Sequence, residues 1–517
     1  MDTQDSQNAT PRGSRESSSR GKLAFQILSV ILVLLVAVLL RVYRIQDESL
    51  SRDELACANH LLQPGLIQYM ISRAHDDPPE VLPLYFVAQY YWSNIVGPSP
   101  LAWRILPLAS SLLTLLLLYD FGRRLQGHVA GLVTMLCASC SKLLIFESQE
   151  LRMYGFTFFF GVLSVYALYR ALYEGPRWWW GVHAVASACM AWTHILSLPL
   201  LVVFGVFLLA TKWREFGLIV RWGIAAAVPV LAIPLYVLTA KETPPNDEMA
   251  WLPLPWRARF IDTFLYAFPG SKMDVFDPLA HAIGGVTAAI ALAGVFALAG
   301  IWLVYRTVLA PPSDCPPDVR VRNREITLLL AIWLVLPPAL LYVTSYIVRP
   351  CYIERYVYLA AFASYLGVGS AIALIPSRGL RAAAVTLLAC LYALLCTDLV
   401  RPLRPDFLNG IAYVNENASP SDAFAATDIN SRIPVNYYLK HGASPVVSPE
   451  EFPEHLIKAV NEGKQAWGVF YAEYPINAQE FEKKLQENGI ASEVRVFPGW
   501  QDLRVYKLNR ATVAPAG

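Results

Sequence analysis

Charge is scarce in this chain. Only 16% of its 517 residues are Asp, Glu, Lys or Arg, and 55% are hydrophobic. That balance excludes an ordinary soluble globular protein and points to a polytopic membrane protein. Net charge is scarce too: 42 basic against 40 acidic residues leave +2, so charge names no partner, and nucleic acid is not expected. The eight cysteines are scattered, and Cys137, Cys140, Cys189, Cys390 and Cys396 lie inside apolar runs, where a thiol serves as a small buried side chain. No second Cys or His pair accompanies Cys137-x-x-Cys140, so a zinc or redox reading has little support. No internal repeat is visible. The first apolar run also lacks a small-residue cleavage site, which makes it an anchor and not a cleaved signal.

Long apolar runs are plentiful. After the one at 23–42, others follow near 101–121, 128–147, 153–173, 178–195, 195–212, 222–240, 280–305, 326–347, 355–376 and 381–400. At about 1.5 Å of rise per helical residue, these predict about eleven spans. Residues 1–22 are polar and Ser-rich with Arg12, Arg15, Arg20 and Lys22, which predicts a disordered cytoplasmic tail. Basic residues recur at every second turn: Arg123-Arg124, Arg170 with Arg177, Lys212 with Arg214 and Arg221, the segment 306–324, and Arg378 with Arg381. The positive-inside rule places these turns in the cytoplasm and the alternate turns outside. The stretch "VLPLYFVAQYYWSNIV" at 81–96 is short for a crossing. It reads as an interfacial or re-entrant helix within a first outer loop at 44–100, with Tyr85, Tyr90, Tyr91 and Trp92 suited to an aromatic belt.

From residue 401 the composition changes. "DFLNGIAYVNEN", "AFAAT", "IPVNYYLKHG", "PVVS", "EEFPEHLIKAVNEG", "AWGVFYAEY", "NAQEFEKKLQENG", "SEVRVF" and "LRVYKL" alternate helix-like and strand-like pieces, which predicts a small α/β domain over 401–517. The expected architecture is an α-helical polytopic membrane domain over 23–400 followed by this extracytoplasmic layer domain.

The unusual charges fall on the outward side. "LSRDELACANH" carries Asp53 and Glu54, and His75, Asp76 and Asp77 lie farther along the same loop. "FESQELRMYG" brings Glu147, Glu150 and Arg152, "AWTHILSLP" brings His194, and later turns bring Lys241, Glu242, Asp247, Glu248, Arg349, Glu354 and Arg355. Ionisable groups at helix ends are costly unless they meet water or one another, so a shared polar site at the outer interface is the economical reading. Blander readings exist for each. The arginines snorkel to headgroups, His194 packs near a helix end, Asp76-Asp77-Pro78-Pro79 forms a turn, and Asp53 caps a helix while Glu54 favours its positive end. The segment 55–72, with Leu55, Leu62, Leu66 and Met70, offers an apolar face to the membrane.

"SQELRMYGF" resembles the SQEARMYAL-type motif of the GT-C membrane glycosyltransferases, in the family-39-like group of protein O-mannosyltransferases and aminoarabinose transferases. "RDEL", "PLYFVAQYYW", "LAWRILPLASSLLTLLLLYDFGRRLQGHVAGL", "THILSLPLL", "WLPLP", "IERYVYLAAFASYL" and "DFLNGIAYVNENASPSD" resemble further pieces in the same order. The chain departs from the group at "HDDPPEVLPLY", where His-Pro-Pro-Leu-Tyr is usual. The resemblance implies a multi-pass enzyme of a bacterial plasma membrane. It would move a sugar from a polyprenyl-phosphate donor to a hydroxyl or amine of a lipid, glycan or protein acceptor on the non-cytoplasmic face, with inversion. Asp53 matches the group's catalytic Asp, and Glu54 beside it is expected to orient a base, a sugar hydroxyl or a metal. A leaving phosphate calls for fixed cations. Arg152 and Arg355 are expected in that role, with Lys241, His194 and His75 as further candidates. Glu150 is expected to pair with Arg152 or to bind sugar or acceptor. A divalent Mg or Mn ion would suit oxygens of Asp53, Glu54 or Glu150. Two other classes stay open: a transporter or flippase of lipid-linked sugar, and a catalytically inactive scaffold.

Overall fold

The computed structural model describes residues 12–61, 63–76, 82–239, 253–270, 285–400, 402, 404–427, 429–440, 451–471, 478–499 and 502–510. The first helices are α1 (Arg12–Val42), α2 (Arg52–Leu61), α3 (Leu66–Asp76), α4 (Leu84–Val96), α5 (Pro100–Gln126), α6 (His128–Cys140), α7 (Lys142–Ser148) and α8 (Tyr154–Tyr169). Among the described residues, eight helices are long and apolar enough to cross a membrane, or nine if the bent pair α6–α7 is one span. Their outward faces carry exposed apolar side chains such as Leu28, Leu39, Leu298 and Ile301, as lipid contact requires. The chain is therefore a multi-pass membrane protein.

One of the eleven runs is too short a helix to cross, for a local reason. The run at 178–195 is α-helical only over Trp179–Ala191, because the chain turns at Trp192–His194 before a short 3-10 segment, Ile195–Ser197. Thirteen residues of helix reach only about 20 Å, short of a bilayer's roughly 30 Å. The run at 222–240 is helical as expected, within the 24-residue helix Phe216–Thr239. At the N-terminus α1 begins at Arg12, so residues 12–22, expected as irregular tail, extend the helix. Once the apolar run is helical, flanking Arg, Glu and Lys propagate it at little cost.

Two breaks shape the end of the bundle that carries the unusual charges. Helices α6 and α7 meet at a 66° bend, where Ser141 caps α7 by accepting from Leu144 N at 3.5 Å. Carbonyls freed at the end of α6 need donors, and the buried Arg41 of α1 supplies them, reaching Ser139 O at 2.8 Å and Ala138 O at 3.1 Å. Gly270, at φ +88°, packs against the bend, and a Cβ there would lie 2.8 Å from Ser141 Cβ. In α5, Pro107 has no N–H for Trp103 O four residues back. Gln89 Nε2 of α4 donates to that carbonyl instead, at 3.4 Å.

Helix α4 is short, as expected of an interfacial element, but its aromatics do not form a lipid-facing belt. Tyr85 and Tyr90 are buried against the protein while Tyr91 and Ile95 are exposed. On α3, Ile67 and Ile71 are exposed four residues apart and so share one face. They replace the expected Leu55, which is buried; Leu62 lies outside the described residues.

The C-terminal part is a layered α/β unit. Strands β1 (Ala423–Ala426), β2 (Ala466–Tyr471), β3 (Ile490–Phe497) and β4 (Leu503–Arg510) form one sheet in the order β1-β2-β4-β3. β1 and β2 are parallel; the other pairings are antiparallel. Alternating side chains feed two cores. Trp467, Val469, Leu503 and Val505 meet the helices Phe407–Asn417 and Ile429–Tyr438, whereas Phe470, Tyr506 and Leu508 meet Phe452–Asn461 and Ala478–Glu487. The expected strand "PVVS" lies outside the described residues.

Candidate active site

The site is built around the start of α2. Ser51 N donates to Glu54 Oε2 at 3.0 Å and Glu54 N donates to Ser51 Oγ at 3.2 Å, a reciprocal capping box that fixes the helix start. The cap is thus Ser51 and not Asp53, which sits in the first turn with its side chain directed elsewhere.

Glu54 is fully buried. Arg104 of α5 grips it with Nε on Oε1 and Nη2 on Oε2, both at 2.9 Å, and Leu151 N donates to Oε1 at 3.0 Å. Arg104 spends its other protons on Ile45 O, Glu48 O and Ser49 O at 2.7, 3.0 and 3.1 Å. Burial acts to raise the pKa of Glu54, but Arg104 and Arg404 outweigh it and hold the carboxyl down at about 2. Glu54 is therefore a permanent anion engaged by the protein. Its geometry fits orientation of α2, with both carboxylate oxygens engaged by Arg104 and Leu151.

Asp53, next in line, faces the other way. Its side chain is 39% exposed and its Oδ2 lies 3.7 Å from Arg355 Nη1 and 4.0 Å from Arg152 Nη2. Burial opposes ionisation, yet Arg152 and Arg355 prevail and lower its pKa. Arg152 stands in the turn between α7 and α8, and its Nη1 also reaches Cys57 Sγ at 3.7 Å. The chain can enter this turn because Gly155 lets α8 approach α5; a Cβ there would lie 2.8 Å from Pro107 O. Arg355, on the short helix Glu354–Val357, lies over the rings of Tyr154 and Tyr356, 5.6 Å from each centroid. Its neighbour Glu354 is held by Arg259 at 3.1 Å.

His194 completes the cluster. Its ring lies 5.1 Å from that of Tyr356 and 5.9 Å from that of Tyr154. Burial first, then Arg152 and Arg355, push its pKa down to about 3. Its Nδ1 accepts from Leu196 N at 3.1 Å, which leaves the proton of the neutral ring on Nε2. Among the described residues, Tyr154 OH, Arg152 Nε and Arg355 Nε have no hydrogen-bond partner. The cluster thus combines the Asp53 carboxylate, two guanidiniums and neutral hydroxyl and imidazole donors, with buried Glu147 nearby acting on Arg355, a set matched to an anionic ligand with hydroxyl groups.

Glu150 departs from expectation. It pairs with Arg404 at 3.7 Å and not with Arg152, because side chains two apart in this turn diverge. Burial raises its pKa, and Arg404 only partly offsets that. Asp53, Glu54 and Glu150 do not form a ligand set for a divalent ion. Each faces guanidinium, and among the described residues no group of three His, Cys, Asp or Glu is arranged to hold a metal. Lys241 lies outside the described residues, and His75 is placed only by its position in α3. Sequence reasoning missed Arg104 and Arg404. A signal existed for the first, an arginine inside the apolar run "LAWRILPL", where charge needs a dedicated partner.

Residues 76–238 match the family described as dolichyl-phosphate-mannose-protein mannosyltransferase. No curated protein matches the chain. Among solved structures, the archaeal oligosaccharyltransferase AglB from Archaeoglobus fulgidus, in complex with an inhibitory peptide and a dolichol-phosphate, is similar with a TM-score of 0.50 and 10% identity, over 86% of this chain and 69% of that one. ArnT from Cupriavidus metallidurans in the apo state aligns over 97% of this chain and 100% of that one, at 14% identity and a TM-score of 0.44. The same enzyme bound to undecaprenyl phosphate aligns over 96% and 99%, with the same identity and TM-score.

Proposed function

We propose that the chain is a GT-C-type membrane glycosyltransferase that moves a sugar from a polyprenyl-phosphate-linked donor to an acceptor hydroxyl or amine. The transfer takes place on the non-cytoplasmic face and inverts the anomeric carbon. The observation that carries this reading is the convergence of Arg152 and Arg355 on a partly exposed Asp53. In an inverting displacement the acceptor attacks the anomeric carbon as the bond to the phosphate oxygen breaks, and a base takes the acceptor proton. Asp53 is that base: its lowered pKa keeps it ionised at neutral pH, as a proton acceptor must be. The phosphate gains negative charge as it leaves, and two fixed guanidiniums stabilise that charge without reorganising. His194 Nε2 and Tyr154 OH are available to orient phosphate or sugar. Binding of dolichol-phosphate by the structurally similar AglB supports a lipid phosphate as the partner. The exposed isoleucines of α3 lie along the membrane beside the site and give the lipid an apolar approach.

The test is transfer of radiolabelled sugar from a panel of synthetic polyprenyl-phosphate sugars to membrane lipid and cell-wall extracts, by wild type and Asp53→Asn. Label moved by wild type and lost in the variant, with donor binding retained, is expected. Equal transfer by both would remove Asp53 from the chemistry.

A further inference from the structure

Arg404 lies in the connection between the last membrane helix, Arg378–Leu395, and the α/β unit. It is almost fully buried, 3% exposed, and its guanidinium touches three carboxylates from two distant stretches of chain: Glu48 at 3.8 Å, Glu54 at 3.5 Å and Glu150 at 3.7 Å. None of these is a well-formed hydrogen bond. Among the described residues, Nε and Nη1 have no hydrogen-bond partner, and Nη2 reaches Gln149 O at 3.5 Å. Arg404 therefore acts as a charge set among anions, and Arg104 supplies the directional bonds.

Two further contacts tie the α/β unit to the same stretch of chain. Leu408 N donates to Ser49 Oγ at 2.9 Å, and Leu50 N donates to Tyr438 OH at 2.9 Å. Residues 48–50 immediately precede the capping box, and the capping box fixes the helix turn that carries Asp53. The segment leading into that turn is thus held from both sides, by Arg104 of the membrane domain and by the C-terminal unit.

We propose that Arg404 is a positioning residue for Asp53, and that the C-terminal α/β unit, through Arg404, Leu408 and Tyr438, sets the orientation of the first turn of α2. This rests on the reading of Asp53 as the base. The unit thereby gains a role in the chemistry although it contributes no group to the cluster. Loss of Arg404 removes the cation shared by Glu48, Glu54 and Glu150, and like-charge repulsion among them loosens the segment.

The experiment compares full-length wild type, Arg404→Gln, Arg404→Lys and Tyr438→Phe in detergent, by hydrogen exchange and by transfer kinetics. Arg404→Gln is expected to speed exchange at least tenfold in peptides covering 48–58 while peptides from α5 and α8 stay unchanged. It should lower kcat at least tenfold with KM for the lipid donor within twofold. Arg404→Lys should recover most of both losses, because the native contacts are of charge and not of geometry. Tyr438→Phe should move both readouts the same way by a smaller amount, and the double variant should fall short of the product of the two effects. Unchanged exchange over 48–58 in Arg404→Gln would overturn the proposal, as would loss of kcat without faster exchange there. If wild type transfers no sugar, the enzymatic reading fails while the exchange comparison still decides the coupling.

Discussion

Asp53 Oδ2 receives Arg355 from one side at 3.7 Å and Arg152 from the other at 4.0 Å, so the proposed base and the proposed phosphate clamp already touch without a donor. The guanidiniums that keep Asp53 ionised are those a phosphate would engage. Donor binding should therefore draw positive charge away from Asp53 and raise its basicity at the moment an acceptor arrives.

One consequence is a shifted acid limb. Asp53 has a lowered pKa, so its ionised form persists through the ordinary carboxylate range and is lost only as pH falls below it. Arg355→Gln should move the acid limb of kcat/KM to higher pH. It should also cost about 10–100-fold in kcat/KM at pH 7, the scale of one lost hydrogen bond to a charged group. A pH–rate profile of wild type and variant checks both.

The profile should lack a histidine limb. His194 is held neutral down to about pH 3, so no loss of activity should appear near pH 6 from its protonation. His194→Phe keeps the aromatic packing but removes the Nε2 donor, and should lower kcat without moving the acid limb. Titration of the variant against wild type decides this.

Removal of Arg104 should threaten the fold itself. Arg104→Met strands Glu54 with weaker compensation, and breaking a buried ion pair on one side typically costs about 3–5 kcal/mol. Glu54 has its pKa lowered from about 4.5 to about 2. The stability it contributes is therefore full above pH 4.5 and disappears as pH falls toward 2. Thermal melting in detergent should show a lower midpoint for the variant at neutral pH and convergence with wild type under acid conditions.

Gly270 should not tolerate a side chain. Its φ of +88° and the contact a Cβ would make with Ser141 predict that Gly270→Ala costs about 1–3 kcal/mol and disturbs the α6–α7 bend. Melting and donor binding together separate the stability loss from any effect at Arg152, which follows α7 in the chain.

Much of this arrangement was legible in the residues, because charge in an apolar chain is conspicuous. Asp53, Arg152, His194 and Arg355 lie far apart in sequence, yet each stands out at the end of an apolar run, and the structure gathers them. The strands β2 and β4 were visible through alternation in "AWGVFY" and "LRVYKL". What stayed hidden depends on tertiary partners. Glu150 sits two residues from Arg152, which invites pairing, but turn geometry sends the two side chains apart. Arg404 sits in a Pro-rich connection that reads as linker, and nothing local announces three carboxylates drawn from segments hundreds of residues earlier. The reading of Asp53 as a cap failed for a smaller reason: Ser51 stands three residues before Glu54, the spacing a capping box needs.

The joining of Glu48, Glu54 and Glu150 to Arg404 also has a meaning in time. A ribosome making about 5–20 residues per second needs roughly 20 to 70 s between Glu54 and Arg404. Through that interval the nascent protein holds buried-to-be carboxylates without the arginine that finally sits among them. The first loop is thus among the earliest segments made and among the last to reach its final state, and a chain released before residue 404 would be inserted in the membrane yet leave that loop unfinished.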